Sequence, residues 1–305
     1  MLVVEALLRA WHVREAAWRL RLRLIPLAVP VLVVPLYFLA APWRIEPWFV
    51  SRYAIFAGER WNLLAIGSIG AGDLVLVLAA GLGAALFLRD ALPPLLDRAR
   101  QGPSEEAGPW SAIPRDVGRI VDRQAGRLAI PPPAIQVVTS RWPVLFAQGV
   151  RAPALVISAA TLDALGPEEL EAALAHEIAH VRYRDPAWGY ALIAVRALNF
   201  FNPAIHWAAR AVVDEIERRA DQATVSAGIG AATLASAIVT LFDRSHPAPV
   251  AGSALERLAW RARALGVERR RERLVADRVP PPPRLARTRF ALAAAGLAAL
   301  LFFVV

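Results

Sequence analysis

Gly166-Pro167-Glu168-Glu169-Leu170-Glu171-Ala172-Ala173-Leu174-Ala175-His176-Glu177-Ile178-Ala179-His180-Val181-Arg182 is the stretch on which the fold and the chemistry turn. Proline at the first helical position and acids in the first turn, where they complement the helix dipole, mark a helix start. The helix is expected to run from about Glu168 to Arg182, with Leu170, Leu174, Ile178 and Val181 as its apolar stripe. His176, Glu177 and His180 lie together near the edge of that stripe, as H-E-I-A-H. Histidines four apart share one helix face, so both imidazoles can reach a single tetrahedral ion. Glu177, on the same side, can hold and deprotonate a water in the fourth position.

Composition narrows the search for a third ligand. Cysteine is absent, which excludes thiolate metal sites, a cysteine nucleophile and a disulfide framework. Five histidines are present in all. His12 belongs to the basic N-terminal segment, His246 to a proline-rich loop, and His206 reads as a packing or membrane-interface residue. A carboxylate is the better candidate. The expected helix from about Pro203 to Val225 carries Asp214, Glu215, Glu217 and Asp221. Glu217 and Asp221 are four apart, so one can bind metal while the other orients a ligating imidazole. A solvated charged face is the competing reading of the same run.

Upstream of the helix, Ile113 to Leu128 has helical spacing, and Pro131 to Pro133 end it. Ile135 to Val138, Val144 to Ala147 and Ala154 to Ser158 read as short strands, a small sheet ahead of the H-E-x-x-H helix. Gly102 to Gly108 has the composition of a linker.

Farther out the chain changes character. It is 57% hydrophobic and 20% charged, against about 45–50% and about 25% for soluble domains, with a mean hydropathy of +0.42. Residues 1–24 carry Arg9, Arg14, Arg19, Arg21 and Arg23 and read as a basic amphipathic helix at a membrane face. Ile25 to Pro42 is free of charge and close to the roughly 20 apolar residues of a spanning helix. A second apolar stretch runs from Trp61 to Leu88. Its Gly-Ser-Ile-Gly-Ala-Gly run, residues 67–72, lacks the Lys-Ser/Thr of a phosphate loop and reads as small residues for close helix packing. Arginines are denser outside this pair than in the loop between, which puts the N-terminus and everything after Leu88 in the cytoplasm. Phe290 to Val305 reads as a final membrane helix. The net charge of +9 comes entirely from arginine, lysine being absent. Glu256 to Arg289 holds eleven of those arginines. Without an interleaved aromatic pattern or a known motif, this segment faces anionic lipid on the present reading and does not bind nucleic acid directly.

Three ordered motifs, Ala175 to Asp185 (A-H-E-I-A-H-V-R-Y-R-D), Phe200 to Pro203 (F-F-N-P) and Glu217 to Asp221 (E-R-R-A-D), resemble the membrane zinc peptidases of the beta-lactam-sensing BlaR and MecR transducers. The stretch Pro143 to Ser158 is similar to the strands before their motif. The wider gluzincin group, including HtpX and the CAAX-processing proteases, is more distantly similar. The resemblance implies one zinc ion per chain, with His176, His180 and Glu217 as ligands, Glu177 as general base and Asp221 as the partner of a ligating histidine. It implies a mainly α membrane protein with a small α+β, zincin-like (minigluzincin) catalytic domain on the cytosolic side. It also implies a substrate held along an edge strand, for which Ala154 to Ser158 is the candidate. No oxyanion-stabilising residue is identified, Arg218 and Arg219 being suspects only by their nearness in sequence.

The expected organisation is a basic segment at 1–24, a transmembrane hairpin at 25–100 and a peptidase domain at 101–250 with a membrane-associated helical part near 186–209. A basic cytoplasmic segment at 251–289 and a transmembrane helix at 290–305 complete it. The expected function is a multi-pass inner-membrane zinc endopeptidase, with the lipid bilayer and a protein or peptide substrate as partners. That substrate is a cytosolic or membrane-associated regulator, a transcriptional repressor being one candidate. An HtpX-like quality-control protease and a catalytically silent membrane scaffold are the alternatives. The intact motif disfavours the scaffold. The transducers carry a large extracellular sensor after their last helix and this sequence ends at Val305, so direct antibiotic sensing is not expected.

Overall fold

The computed structural model describes residues 2–55, 65–66, 69–100, 115–200, 202–246, 254–276 and 286–303. The chain divides into two compact units, one of Met1–Arg98, Ala191–Ile216 and Pro281–Val305, the other of Ala99–Tyr190 and Glu217–Pro280. Most of the described residues are helical, with one small three-stranded sheet.

The first unit begins with α1 (Leu2–Ala10) and α2 (Ala16–Ala40), separated by a turn in which His12 takes a φ of 52°. A 3-10 helix (Pro42–Ile45) and α3 (Pro47–Tyr53) follow, then strands β1 (Ala65–Ile66) and β2 (Ile69–Gly70) and the long α4 (Ala71–Arg100). The C-terminal α12 (Ala286–Phe302) lies beside α2: Phe290, Ala293, Ala294 and Leu297 pack against the cluster of Val4, Leu8, Leu22 and Ile25. Tyr37 donates from its hydroxyl to the carbonyl of Ala298 at 2.8 Å, and Arg44 donates to Phe302 and Leu301. A cation at those carbonyls satisfies acceptors that a helix C-terminus leaves without partners and offsets its partial negative charge.

One expectation about this unit changes. The apolar helix does not start at Ile25 but at Ala16, so Arg19, Arg21 and Arg23 lie inside α2. Arg19 and Arg23 do not face lipid headgroups. They meet the buried carboxylate of Glu215 at 2.7 and 3.1 Å, and Arg23 also reaches Glu5 at 2.9 Å. The second apolar stretch, Trp61 to Leu88, is described only in part. Residues 61–64 and 67–68 lie outside the described ones, and Ala65–Ile66 pairs antiparallel with Ile69–Gly70 ahead of α4. Among the described residues, α2, 25 residues long, is the helix long and apolar enough to cross a membrane. Gly72–Leu86 forms a shorter apolar stretch. The prolines Pro26, Pro30 and Pro35 inside α2 are of the kind that apolar spans tolerate.

The second unit is built on a sheet of β3 (Ala134–Val138), β4 (Leu145–Gln148) and β5 (Ala154–Ser158), in the order β3-β5-β4. β5 pairs parallel with β3 and antiparallel with β4, Ala147 standing opposite Leu155. This corrects the expectation that Ala154 to Ser158 is an edge. The sequence Ala-Leu-Val-Ile-Ser is buried along its whole length, as a near-continuous apolar strand should be when neighbours flank it on both sides. The edges are β3 and β4. Gly149 closes the β4–β5 turn at a φ of +85°, where a Cβ would stand 2.2 Å from the carbonyl oxygen of Ala152.

Helices cover this sheet. α5 (Arg115–Arg127) and α7 (Pro167–Arg182) share one core, in which Val117, Val121, Leu155, Ile157, Leu174 and Ile178 are all buried. Between sheet and α7 lies the short α6 (Ala159–Ala164), capped by Ser158. The N-terminus of α7 is fastened by Glu169, which accepts from the amide of Gly166 at 3.2 Å and the hydroxyl of Ser236 at 2.5 Å. Ser236 belongs to α10 (Ala231–Ser245). Leu274 of α11 (Ala254–Ala276) is buried in a third cluster with Ala172, Ala175 and Leu234. The remaining helices, α8 (Asp185–Leu198) and α9 (Pro203–Ser226), each contribute residues to both units.

Candidate metal centre

The middle of α7 carries His176, Glu177 and His180 one turn apart, on a helix whose Leu174 and Ile178 are fully buried. Burial of those neighbours fixes the rotation of the helix and leaves its polar edge no freedom to turn away. α9 supplies Glu217 and Asp221, again one turn apart. Asn202 caps the start of α9 by accepting from the amide of Ala204 at 3.0 Å, with Pro203 as first helical residue. That is the structural use of the Phe-Phe-Asn-Pro motif.

His176, His180 and Glu217 each present one ligand atom, all within 4.8 Å of one another. The two Nε2 atoms face each other at 3.1 Å, and the carboxylate of Glu217 lies 3.5 Å from the one and 3.7 Å from the other. The two rings are perpendicular, their centroids 4.7 Å apart. Each Nδ1 is held from behind: His180 by Asp185 at 2.8 Å and His176 by Asp221 at 3.3 Å. A carboxylate on Nδ1 fixes both the tautomer and the ring orientation, and aims Nε2 as the ligating lone pair. Two imidazole nitrogens and one carboxylate oxygen, convergent and pinned, suit zinc with one position open. His206 takes no part. It is buried elsewhere, between the guanidinium of Arg196 at 3.3 Å and the carbonyl of Phe200 at 2.9 Å.

Glu177 does not belong to that group of ligand atoms. Its Oε2 accepts the backbone N–H of Ala147, on strand β4, at 2.8 Å. The general-base candidate is thus tied to the edge of the sheet.

Two residues of the site, Asp185 and Arg270, carried no role in the sequence reading, and a third, Arg219, stands elsewhere than expected. Asp185 is the first residue of α8, and it reaches His180 because Arg184 before it takes a left-handed φ of 56° that ends α7. Arg219, a suspect for oxyanion stabilisation, instead pairs with Asp185 and lies 4.2 Å over the ring of Tyr183. Arg270, on α11, comes from the segment read as lipid-facing. It binds both oxygens of Asp221, at 2.9 and 2.6 Å, and lies 2.9 Å from Glu217 and 2.9 Å from Nε2 of His176. Pairing shapes the ionisation here. Burial opposes the charge on Glu217, but the hydrogen bond from His176 and the charge of Arg270 outweigh it and hold its carboxyl well below the usual range. Burial likewise disfavours an ionised Asp221, and Arg270 and His176 prevail in keeping it ionised.

Residues 135–231 match the family described as BlaR1 peptidase M56. Similar curated proteins include the protease HtpX homologs of Aquifex aeolicus, 36% identical over 131 residues (40% of this chain and 41% of that protein), and of Acidiphilium cryptum, 40% identical over 78 residues (25% and 26%). The protease HtpX homolog 2 of Methanosarcina acetivorans is 49% identical over 61 residues, 19% of this chain and 20% of that protein. The chain spans under half the length of these relatives. The stretch 135–231, which carries His176, Glu177, His180, Glu217 and Asp221, is thus similar to the BlaR1 M56 peptidases, and part of the chain is similar to the HtpX proteases.

Proposed function

We propose that this chain is an integral-membrane zinc endopeptidase that hydrolyses a peptide bond in a cytosolic or membrane-associated regulatory protein. The observation that carries the reading is the convergence of His176, His180 and Glu217, with Glu177 anchored beside them. Zinc, when bound, polarises the scissile carbonyl and acidifies the attacking water. The chain supplies the rest. His176, His180 and Glu217 hold the ion, and Asp221 and Asp185 keep the imidazoles aimed. Glu177 takes the proton of the attacking water and returns it to the leaving amine. An extended substrate lies along β4, the strand whose Ala147 touches Glu177, so that main-chain pairing brings the scissile bond to the base.

The apolar α2, with α12 beside it and the apolar Gly72–Leu86, supports a multi-pass membrane protein. The arginines of the first 24 residues and those after Leu88 support a cytoplasmic catalytic side. The HtpX names of the relatives favour a second reading, a quality-control protease with broader substrates, built on the same site. Metal analysis tests the common ground. Detergent-purified protein should hold one zinc per chain, and His176→Ala with His180→Ala should remove it. Full occupancy in the double variant contradicts the site.

A further inference from the structure

We propose that Arg270 is a positioning residue of the metal centre, its guanidinium fixing Asp221 and Glu217 so that His176 is held for the ion, and that α11 is therefore part of the catalytic machinery. The inference rests on the zinc reading above and goes beyond the comparisons, since the family match ends at residue 231.

Arg270 is set apart from its neighbours on a helix dense in arginine. It is 17% exposed, whereas the next residue, Arg271, is 48% exposed and spends its charge on Glu268 of the same helix. Leu274, one turn on, is buried against Ala172 and Ala175 of α7, which holds the Arg270 face of α11 toward the metal helix. The guanidinium grips Asp221 through Nε and Nη2, a two-point contact that leaves the carboxylate one orientation, and Nη1 holds Glu217. The same arrangement recurs at the other histidine, where Asp185 holds His180 and is itself held by Arg219. Each ligating imidazole is thus backed by a carboxylate and each carboxylate by an arginine. Charge requires it as well. Glu217 and Asp221 lie one turn apart on α9 with a third carboxylate, Glu177, close by, and a cation between like charges removes a repulsion that burial would magnify.

Arg270→Lys tests this, because it keeps the charge and removes the planar fork. Zinc affinity is measured by competition with a chromophoric chelator, and the geometry of the site by the visible spectrum of the cobalt-loaded protein. Arg270→Lys should bind zinc about 10–100-fold more weakly, the usual loss when a partner of a ligand is disturbed, with an altered cobalt spectrum. In an Asp221→Asn background it should cost less than in the wild type, since only the hold on Glu217 is left to lose, and Arg271→Lys should match wild type in both readouts. Wild-type affinity and spectrum in Arg270→Lys overturn the proposal. So does tighter zinc binding, which would make the guanidinium a competitor of the ion for Nε2 of His176. Should Arg270→Lys fail to fold, Asp221→Asn alone, nearly the same shape, must reproduce the weaker binding and the altered spectrum, and wild-type behaviour there overturns the proposal. A wild-type protein that binds no zinc sinks the underlying reading, a different result from a wild type that binds it alongside an unaffected Arg270→Lys.

Discussion

Asp185 and Asp221 stand in the same relation to two imidazoles, yet only one of them could be read from spacing. Asp221 lies one helical turn from Glu217, so a shared face follows from the period of the helix. Asp185 lies beyond the end of α7, and its reach to His180 depends on the left-handed turn at Arg184, which no periodicity encodes. The structural equivalence predicts equal consequences. Asp185→Asn should weaken zinc binding about 10–100-fold, as Asp221→Asn should, with the fold retained. Equilibrium metal competition on the two variants checks it, and an Asp185→Asn protein with wild-type affinity would leave that carboxylate only a structural pairing with Arg219. Arg270 was further out of reach. It is 94 residues from His176 in the chain, in a segment whose composition resembles a lipid-facing helix, and its inward turn is set by the packing of Leu274.

The elements were more legible than their neighbours in space. The helix start at Gly166-Pro167, the H-E-x-x-H face and the three strands all fall within a residue or two of expectation, because capping and apolar patterning act locally. Strand order is not local. β5 is central because a parallel partner, β3, arrives from twenty residues upstream, and the hairpin with β4 forms on its other side. That hairpin depends on Gly149. Its backbone lies in the left-handed region, and a Cβ would meet the carbonyl oxygen of Ala152 at 2.2 Å. Gly149→Ala should therefore destabilise the protein by about 1–3 kcal/mol. Because β4 carries Ala147, the partner of Glu177, cleavage should fall more than zinc binding does. Thermal unfolding of the detergent-solubilised variant gives the first quantity and metal titration the second; a variant as stable as wild type would mean that the turn relaxes.

Across the whole molecule, the split of the sequence into apolar, basic and catalytic stretches reads as five consecutive segments, from 1–24 to 290–305. The two compact units cut across that linear order, since residues 191–216 join the N- and C-terminal helices. The reason is again packing: Leu192, Ile205, Ala208 and Val212 share a core with Leu20 and Leu27 of α2, and Glu215 answers Arg19 and Arg23. A linear reading saw those arginines as a membrane-facing charge, because their partner is 196 residues away from Arg19. The proposed topology predicts that a reporter fused after Arg100 registers the cytoplasm and one fused in the loop from Trp43 to Arg60 registers the opposite side. The reverse pattern would move the site, and its substrate, to the other face of the membrane.

Metal content and cleavage measured together on Glu177→Gln test the central claim most directly. Glu177 is not among the grouped ligand atoms, so the variant should retain one zinc per chain. The amide cannot accept the proton of the attacking water, so cleavage of a trapped substrate or of the protein's own chain should cease. A Glu177→Gln protein that holds its zinc and cleaves as fast as wild type would contradict the account.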